Sequence, residues 1–315
     1  MKIGILKPTC SITPTGGVKM QAFMWKNALE GFGHQVILLN LWESIDWHTY
    51  DVIIVLEYGG IMKDFVNYMA RINPNIVCAP IIDTNISPLI FHLAAKFLHV
   101  EKLRLSSRYH DLYSVKDKFE LYLVRSTYEA KYITEGLQIP SRKICHVPLS
   151  YRFNDEQIPI SFKKEPFCLH VSLLADKRKN VSNLIKAAIK YGFPLKLGGK
   201  LRDDTERKWL FQQIENHRNI EYVGFLNDQQ LCEYYSKAKV FALPSIYEGV
   251  GMVALEAALF GCDIVLTCIG APKEYYNNLA YLVNPYDVDD IGKSILMALN
   301  ESRQPELQKH IKLNY

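Results

Sequence analysis

Apolar positions fall in short, near-continuous blocks, each followed by a polar loop and then by apolar residues at helical spacing. Such blocks occupy residues 2–6, 34–39, 51–56 and 75–82, with two more at 121–124 and 143–148. A strand that is apolar at consecutive positions is covered on both faces, which predicts a parallel sheet between layers of helices. Residues 18–31 carry Met20, Phe23, Met24, Ala28 and Leu29 at helical spacing and stop at Gly31, a residue suited to a helix C-cap.

A polar, proline-bearing stretch, Asn154-Asp155-Glu156-Gln157-Ile158-Pro159, interrupts this rhythm, which then restarts. Residues 167–171, 194–197, 220–223, 240–243 and 263–267 read as strands, and 181–191 and 229–237 as helices. We therefore expect an α/β chain of two doubly wound, Rossmann-like halves, residues 1–155 and 156–315, facing a central cleft. Ligands of such sheets gather at the carboxyl ends of the strands, and a cleft is the expected place for them.

Composition supports this and removes alternatives. The chain has 315 residues, 49% of them hydrophobic and 22% charged, which suits two globular domains and excludes low-complexity or disordered classes. A net charge of +4 is too small for a nucleic-acid partner, which needs a dense basic face. The apolar runs at 51–57 and 250–260 fall short of the roughly 20 residues of a membrane-spanning helix. The first residues read as a strand rather than a secretory leader. Seven cysteines, widely spaced and without a CxxC pair, fit a reducing cytoplasm better than a disulfide framework or a zinc cage.

The most informative segment is 243–261. A strand ends, a glycine-bearing turn follows, and a helix begins near Gly251 that is apolar almost all round, with Glu256 its only charge. A carboxylate in such surroundings is costly unless something satisfies it. Glu248 lies eight residues earlier, at most about 12 Å away along a helix axis. Between the two, the N–H groups of Gly249, Val250, Gly251 and Met252 form an anion site where the helix opens. Two hydroxyl-reading carboxylates around a phosphate-reading turn suit a ligand made of sugar, diphosphate and ribose.

The pattern Ser245-x-x-Glu248-Gly249-x-Gly251-x-x-x-Leu255-Glu256-Ala257 resembles the Glu-x7-Glu signature of the retaining GT-B glycosyltransferases of family 4. The resemblance extends over nearly the whole second half, through Ile220-Glu221-Tyr222-Val223-Gly224-Phe225-Leu226 and Gly270-Ala271-Pro272-Lys273-Glu274. In the first half it takes in Thr15-Gly16-Gly17-Val18 and Gly33-His34-Gln35-Val36. It implies that Glu248 contacts donor-sugar hydroxyls and that Glu256 holds the ribose. Gly224 and Phe225 would belong to the same donor side, and Gly16 and Gly17 would approach the phosphates. Arg178-Lys179-Asn180 is similar to the family's Arg-Lys-Asn, whose cations would neutralise the departing diphosphate without a metal.

Departures from the family pattern are informative. Ser172-Leu173 stands where Gly-Arg is usual, so Arg178 is expected to serve for the missing arginine. Ile82-Asp83 stands where His-Asp is usual, which leaves Asp83 as the acceptor-side residue; His92 and His110 are expected to be structural. Family members continue past the position of Tyr315 into a helix that returns to the first domain.

The implied activity is retaining transfer of a sugar from a UDP- or GDP-linked donor, without a cofactor, to a hydroxyl of a glycan or glycolipid. A dehydrogenase is excluded because the loop over residues 7–17 lacks G-x-G-x-x-G. A catalytically degenerate subunit that binds a nucleotide-sugar or scaffolds a glycan-synthesis complex is the alternative. Residues 88–118 interleave Leu89, Ile90, Phe91, Leu93, Phe97, Leu98, Leu103 and Leu105 with Lys96, Lys102, Arg104, Arg108, Lys116 and Lys118. That pattern is compatible with a cytoplasmic protein placed peripherally at a membrane surface.

Overall fold

A computed structural model describes residues 1–8, 16–100, 105–153, 155–159 and 163–315. The chain forms two compact units, Met1–Leu149 and Ser150–Tyr315. The division precedes the expected one at 155/156, because residues after Ser150 already pack within the second unit. Phe153 meets Phe260 edge-on with ring centroids 5.4 Å apart.

The first unit contains β1 (Lys2–Leu6), α1 (Gly17–Gly31), β2 (Gln35–Leu38), β3 (Val52–Leu56), α2 (Met62–Met69) and β4 (Ile76–Ala79). There follow α3 (Pro88–Phe97), the short pair β5 (His99–Val100) and β6 (Leu105–Ser106), α4 (Arg108–Val115), β7 (Leu121–Val124), α5 (Thr127–Lys131) and β8 (Ile144–His146). Its parallel sheet runs β2-β1-β3-β4-β7-β8. Burial on both faces is visible along β3: Ile53 and Val55 enter one apolar cluster, Ile54 and Leu56 the other. The predicted strand at 75–82 stops at Ala79, and Ile81 then adopts a left-handed backbone with φ +55°.

The second unit contains β9 (Glu165–Val171), α6 (Val181–Tyr191), β10 (Leu195–Gly198), α7 (Asp204–Ile214), β11 (Ile220–Gly224), α8 (Asp228–Lys237) and β12 (Ala238–Leu243). It continues with α9 (Met252–Leu259), β13 (Asp263–Thr267), α10 (Pro272–Tyr275), β14 (Tyr281–Val283), α11 (Val288–Asn300) and α12 (Glu306–Asn314). Its strand order is β11-β10-β9-β12-β13-β14, all parallel. The winding reverses between β9 and β12, and that reversal opens the crevice where ligands of such sheets bind. The last helix, α12, packs within this unit: Leu307 and Ile311 are buried, and Gln308 donates to the Leu259 carbonyl at the end of α9.

Of the loop over 7–17, residues 9–15 lie outside the described residues; Gly16 caps α1 in extended conformation and Gly17 begins it, both exposed. Lys102, Leu103 and Arg104 also lie outside the described residues. Among the described residues no helix is long and apolar enough to cross a membrane. Cys78, Cys145, Cys168, Cys232, Cys262 and Cys268 are free thiols.

Candidate functional site

Two loops at the winding reversal of the second unit build the site. One leaves β9 and turns through Lys177–Lys179 into α6; the other leaves β12 and runs through Glu248 into α9. They are tied together by the Ile246 N–H, which donates to the Arg178 carbonyl at 2.8 Å. Asn180, left-handed at φ +58°, adds side-chain hydrogen bonds to the carbonyls of Pro244 (2.9 Å) and Pro285 (2.6 Å).

This arrangement brings Glu248, Lys179 and Arg178 together. Lys179 Nζ donates to Glu248 Oε2 at 2.7 Å, Ser245 Oγ donates to the same oxygen at 3.0 Å, and Arg178 Nη1 stands 3.7 Å from Oε1. Glu248 is 7% exposed, Lys179 14% and Arg178 29%, so the cations lie outward of a buried carboxylate. Burial alone raises the Glu248 carboxyl, but Lys179 and Arg178 outweigh it and hold the group below the usual carboxylate range. It is therefore ionised at neutral pH.

Glycines set the backbone here. Gly251, at φ +77°, is the N-cap of α9, whose opening N–H groups lack helical partners by geometry. Gly249, Val250 and Gly251 are buried and Met252 is half-buried. Gly270, at φ +105°, passes so close to the Glu248 backbone that a Cβ would sit 1.9 Å from the Glu248 carbonyl oxygen. Beneath the loop, buried His170 bonds the Ala242 carbonyl through Nδ1 and Ser172 Oγ through Nε2, both at 2.7 Å. The carbonyl fixes the proton on Nδ1, so Nε2 accepts from Ser172. Burial pulls the ring down to about 4, keeping it neutral beside Lys179. His170 was not singled out by sequence reasoning, since a histidine in a strand is not unusual, and Ser245 entered it only as the first residue of the signature, with no role given.

Glu256 lies on α9 and is 1% exposed. Arg152 satisfies it, with Nε 2.7 Å from Oε1 and Nη2 3.4 Å from Oε2, and Tyr235 donates to Oε2 at 3.4 Å. Arg152 Nη1 also reaches Asp228 at 2.6 Å. Burial pushes the Glu256 carboxyl up and Arg152 restores only part of that. The cost of a carboxylate at this position was legible in the sequence; its partner, 104 residues upstream, was not. Gly224, at φ +86°, ends β11, and the ring of Phe225 beside it is 58% exposed.

Asp83 is in the first unit, after β4, and accepts from Arg125 Nη2 at 2.7 Å. His92 and His110 serve structure: their Nδ1 atoms bond the carbonyls of Gly136 and Ala95. Arg125, which precedes the Ser126 N-cap of α5, and Glu129 within that helix were missed from the sequence; only their separation of four residues hinted at a pair.

Residues 152–314 match the family model described as glycosyl transferases group 1. The chain belongs to this family. It is similar to the O-antigen chain mannosyltransferase B of Escherichia coli, 25% identical over 213 residues, which are 62% of this chain and 56% of that protein. The matched part therefore spans little more than half of that relative. Among solved structures it resembles the sucrose-phosphate synthase of Thermosynechococcus elongatus, with TM-score 0.70, 17% identity and coverage of 99% and 94%. Anabaena HepE in complex with UDP and glucose gives 0.67 at 16% identity, covering 100% and 95%. The fold class is GT-B: α/β, with two parallel six-stranded sheets and their helices.

Proposed function

We propose that this group 1 glycosyltransferase moves a sugar from a UDP- or GDP-linked donor to a hydroxyl of a glycan or glycolipid, with retention of anomeric configuration. The observation that carries this is the pairing of Glu248 with Lys179 and Arg178 at the winding reversal of the second sheet. An ionised carboxylate there binds the hydroxyls of the donor sugar, while the cations face the diphosphate. The leaving diphosphate gains charge as the glycosidic bond breaks, and fixed guanidinium and ammonium groups lower that barrier without needing a metal. The amides of Gly249, Val250, Gly251 and Met252 supply further donors to the phosphates. Glu256 takes the ribose hydroxyls, sharing its carboxylate with Arg152, and Gly224 and Phe225 complete the donor side. Similarity to a protein named as a mannosyltransferase makes GDP-mannose the first donor to test.

The test is direct. The chain, incubated with UDP- and GDP-linked hexoses and a panel of glycosides, is expected to release UDP or GDP only when glycoside product forms. The product carries the donor's anomeric configuration by NMR. Inverted product refutes retention. Binding of a nucleotide-sugar with no transfer to any glycoside favours the degenerate-subunit alternative.

The same proposal places the chain at an anionic membrane surface. On α3 the side chains of Leu89, Ile90, Leu93 and Phe97 are all exposed, and Leu98 follows them. The helix has no acidic residue; its one charge is Lys96, whose ammonium lies 5.4 Å from the Phe97 ring centroid. An apolar face carrying only a cation suits the interface of a bilayer with anionic headgroups, where lipid-linked acceptors reside.

A further inference from the structure

The loop after β4 is held far more tightly than a surface loop requires. Glu129 of α5 is 1% exposed and accepts the Ile82 N–H at 2.6 Å through Oε1 and the Arg125 N–H at 2.8 Å through Oε2. The Arg125 guanidinium closes on the same carboxylate, with Nε 3.0 Å from Oε2 and Nη2 3.2 Å from Oε1. Tyr128 donates to the Thr84 carbonyl at 2.8 Å and Tyr132 to that of Ile86 at 2.7 Å. The loop thus takes anchors from α5 and the turn after it on both sides of Asp83. To reach the Glu129 carboxylate the chain passes through Ile81 at φ +55°, a conformation that a β-branched residue adopts only when its surroundings impose it.

What this framework displays is the Asp83 carboxylate. Its Oδ1 is fixed by Arg125 Nη2 at 2.7 Å, while Oδ2 has no hydrogen-bond partner among the described residues; the side chain is 29% exposed. Burial works against the Arg125 charge, but Asp83 and Glu129 outweigh it and keep the guanidinium protonated. A carboxylate anchored through one oxygen and open at the other accepts a hydrogen bond from a hydroxyl in a fixed direction. Its place just past the carboxyl end of a parallel strand is where ligands of such sheets bind.

Taking Asp83 as the acceptor-side residue that the family resemblance implies, we propose that Arg125, backed by Glu129, is the positioning residue that aims the Asp83 Oδ2 at a sugar hydroxyl. This deepens the transfer reading above and rests on it. The occupant is a neutral polyol: the carboxylate is an acceptor, and Arg125, the cation bonded to it, is already engaged by Asp83 and Glu129.

The experiment uses the whole chain with GDP-mannose or UDP-glucose as donor and methyl α-mannopyranoside or methyl α-glucopyranoside as acceptor. Initial rates are measured for wild type, Asp83→Asn, Arg125→Lys and the double variant, with UDP and GDP binding followed in parallel by calorimetry. Asp83→Asn keeps the side-chain shape and is expected to lower acceptor kcat/KM by about tenfold or more, with UDP or GDP affinity held within about twofold. Arg125→Lys gives an intermediate loss, and the double variant is no slower than Asp83→Asn alone, because Arg125 acts through Asp83. An acceptor kcat/KM unchanged in Asp83→Asn overturns the proposal, and losses that multiply in the double variant overturn the positioning role. Absence of UDP and GDP binding in the wild type instead refutes the transfer reading beneath it.

Discussion

Lys179 Nζ lies 2.7 Å from Glu248 Oε2, although 69 positions separate the two residues. Neighbouring strands β9 and β12 deliver them, with the winding of the sheet reversing between the two. The pair is partly buried on both sides, so its attraction is stronger than that of a surface ion pair, and Ser245 holds the carboxylate from a third direction. Among the described residues Lys179 Nζ bonds only Glu248, so its remaining N–H donors can serve a ligand oxygen.

Acid should weaken this contact. The folded Glu248 carboxyl is held below its unfolded value of about 4.3, so its contribution to stability is present above that pH and is lost as pH falls through the lower folded value. The Tm difference between wild type and Glu248→Gln is therefore expected to be widest near neutrality and to close below about pH 4. Glu256 runs the opposite way, since its folded carboxyl is raised: its titration favours the fold below about 4.3, an advantage lost as pH rises through the folded value. Glu256→Gln should consequently gain on wild type as pH rises. Parallel trends in the two variants contradict the assigned environments.

Gly270→Ala tests the backbone that carries Glu248. The added Cβ meets the Glu248 carbonyl oxygen and must also accept φ +105°. A loss of about 3 kcal/mol or more is expected, and with it the donor affinity, because the loop that carries Glu248 has to move. A variant with wild-type Tm and nucleotide affinity shows that the close approach is not needed.

Arg152 and Glu256 give separable predictions. Arg152→Ala leaves a buried carboxylate without its cation and should cost about 3–5 kcal/mol, read by urea unfolding. If Glu256 grips the ribose, the wild type binds a nucleoside diphosphate better than its 2′- or 3′-deoxy analogue, by about tenfold for one hydrogen bond to a charged group. Glu256→Gln should bring these affinities together. A discrimination that survives in Glu256→Gln assigns the ribose contact to another residue.

Much of the architecture follows from the spacing of apolar residues. Strands at 2–6, 121–124 and 263–267 and the helix at 181–191 have the predicted bounds. Consecutive buried positions mark 2–6 and 263–267, whereas 121–124 is apolar in sequence but turns Leu121 outward, and 181–191 follows helical spacing. The overshoot past Ala79 has a cause: Ile81 and Ile82 are buried and apolar, yet they serve a loop whose amide goes to Glu129. Periodicity reports burial and carries no information on φ. The local cluster of Glu248 with its glycines was legible because its spacing is fixed by a turn and a helix. Arg152 and the Arg125–Glu129 clamp were not, since their worth depends on partners that only folding brings near.

The α3 surface makes a prediction independent of catalysis. The chain should co-sediment with phosphatidylcholine vesicles containing phosphatidylglycerol more than with phosphatidylcholine alone, and raised salt should weaken this. Leu93→Glu and Phe97→Glu alter exposed side chains, so Tm should stay within a few degrees, about the effect of a surface change. Both should abolish sedimentation. Equal binding by wild type and the two variants removes the membrane assignment.

The most direct measurement of the central claim is calorimetric titration of UDP and GDP into wild type, Lys179→Ala and Glu248→Ala. If Lys179 faces the diphosphate, the wild type binds one of the two, Lys179→Ala loses about tenfold or more, the worth of a charge-assisted hydrogen bond, and Glu248→Ala still binds the bare nucleotide while losing affinity for the nucleotide-sugar. Wild-type affinity in Lys179→Ala would contradict the account.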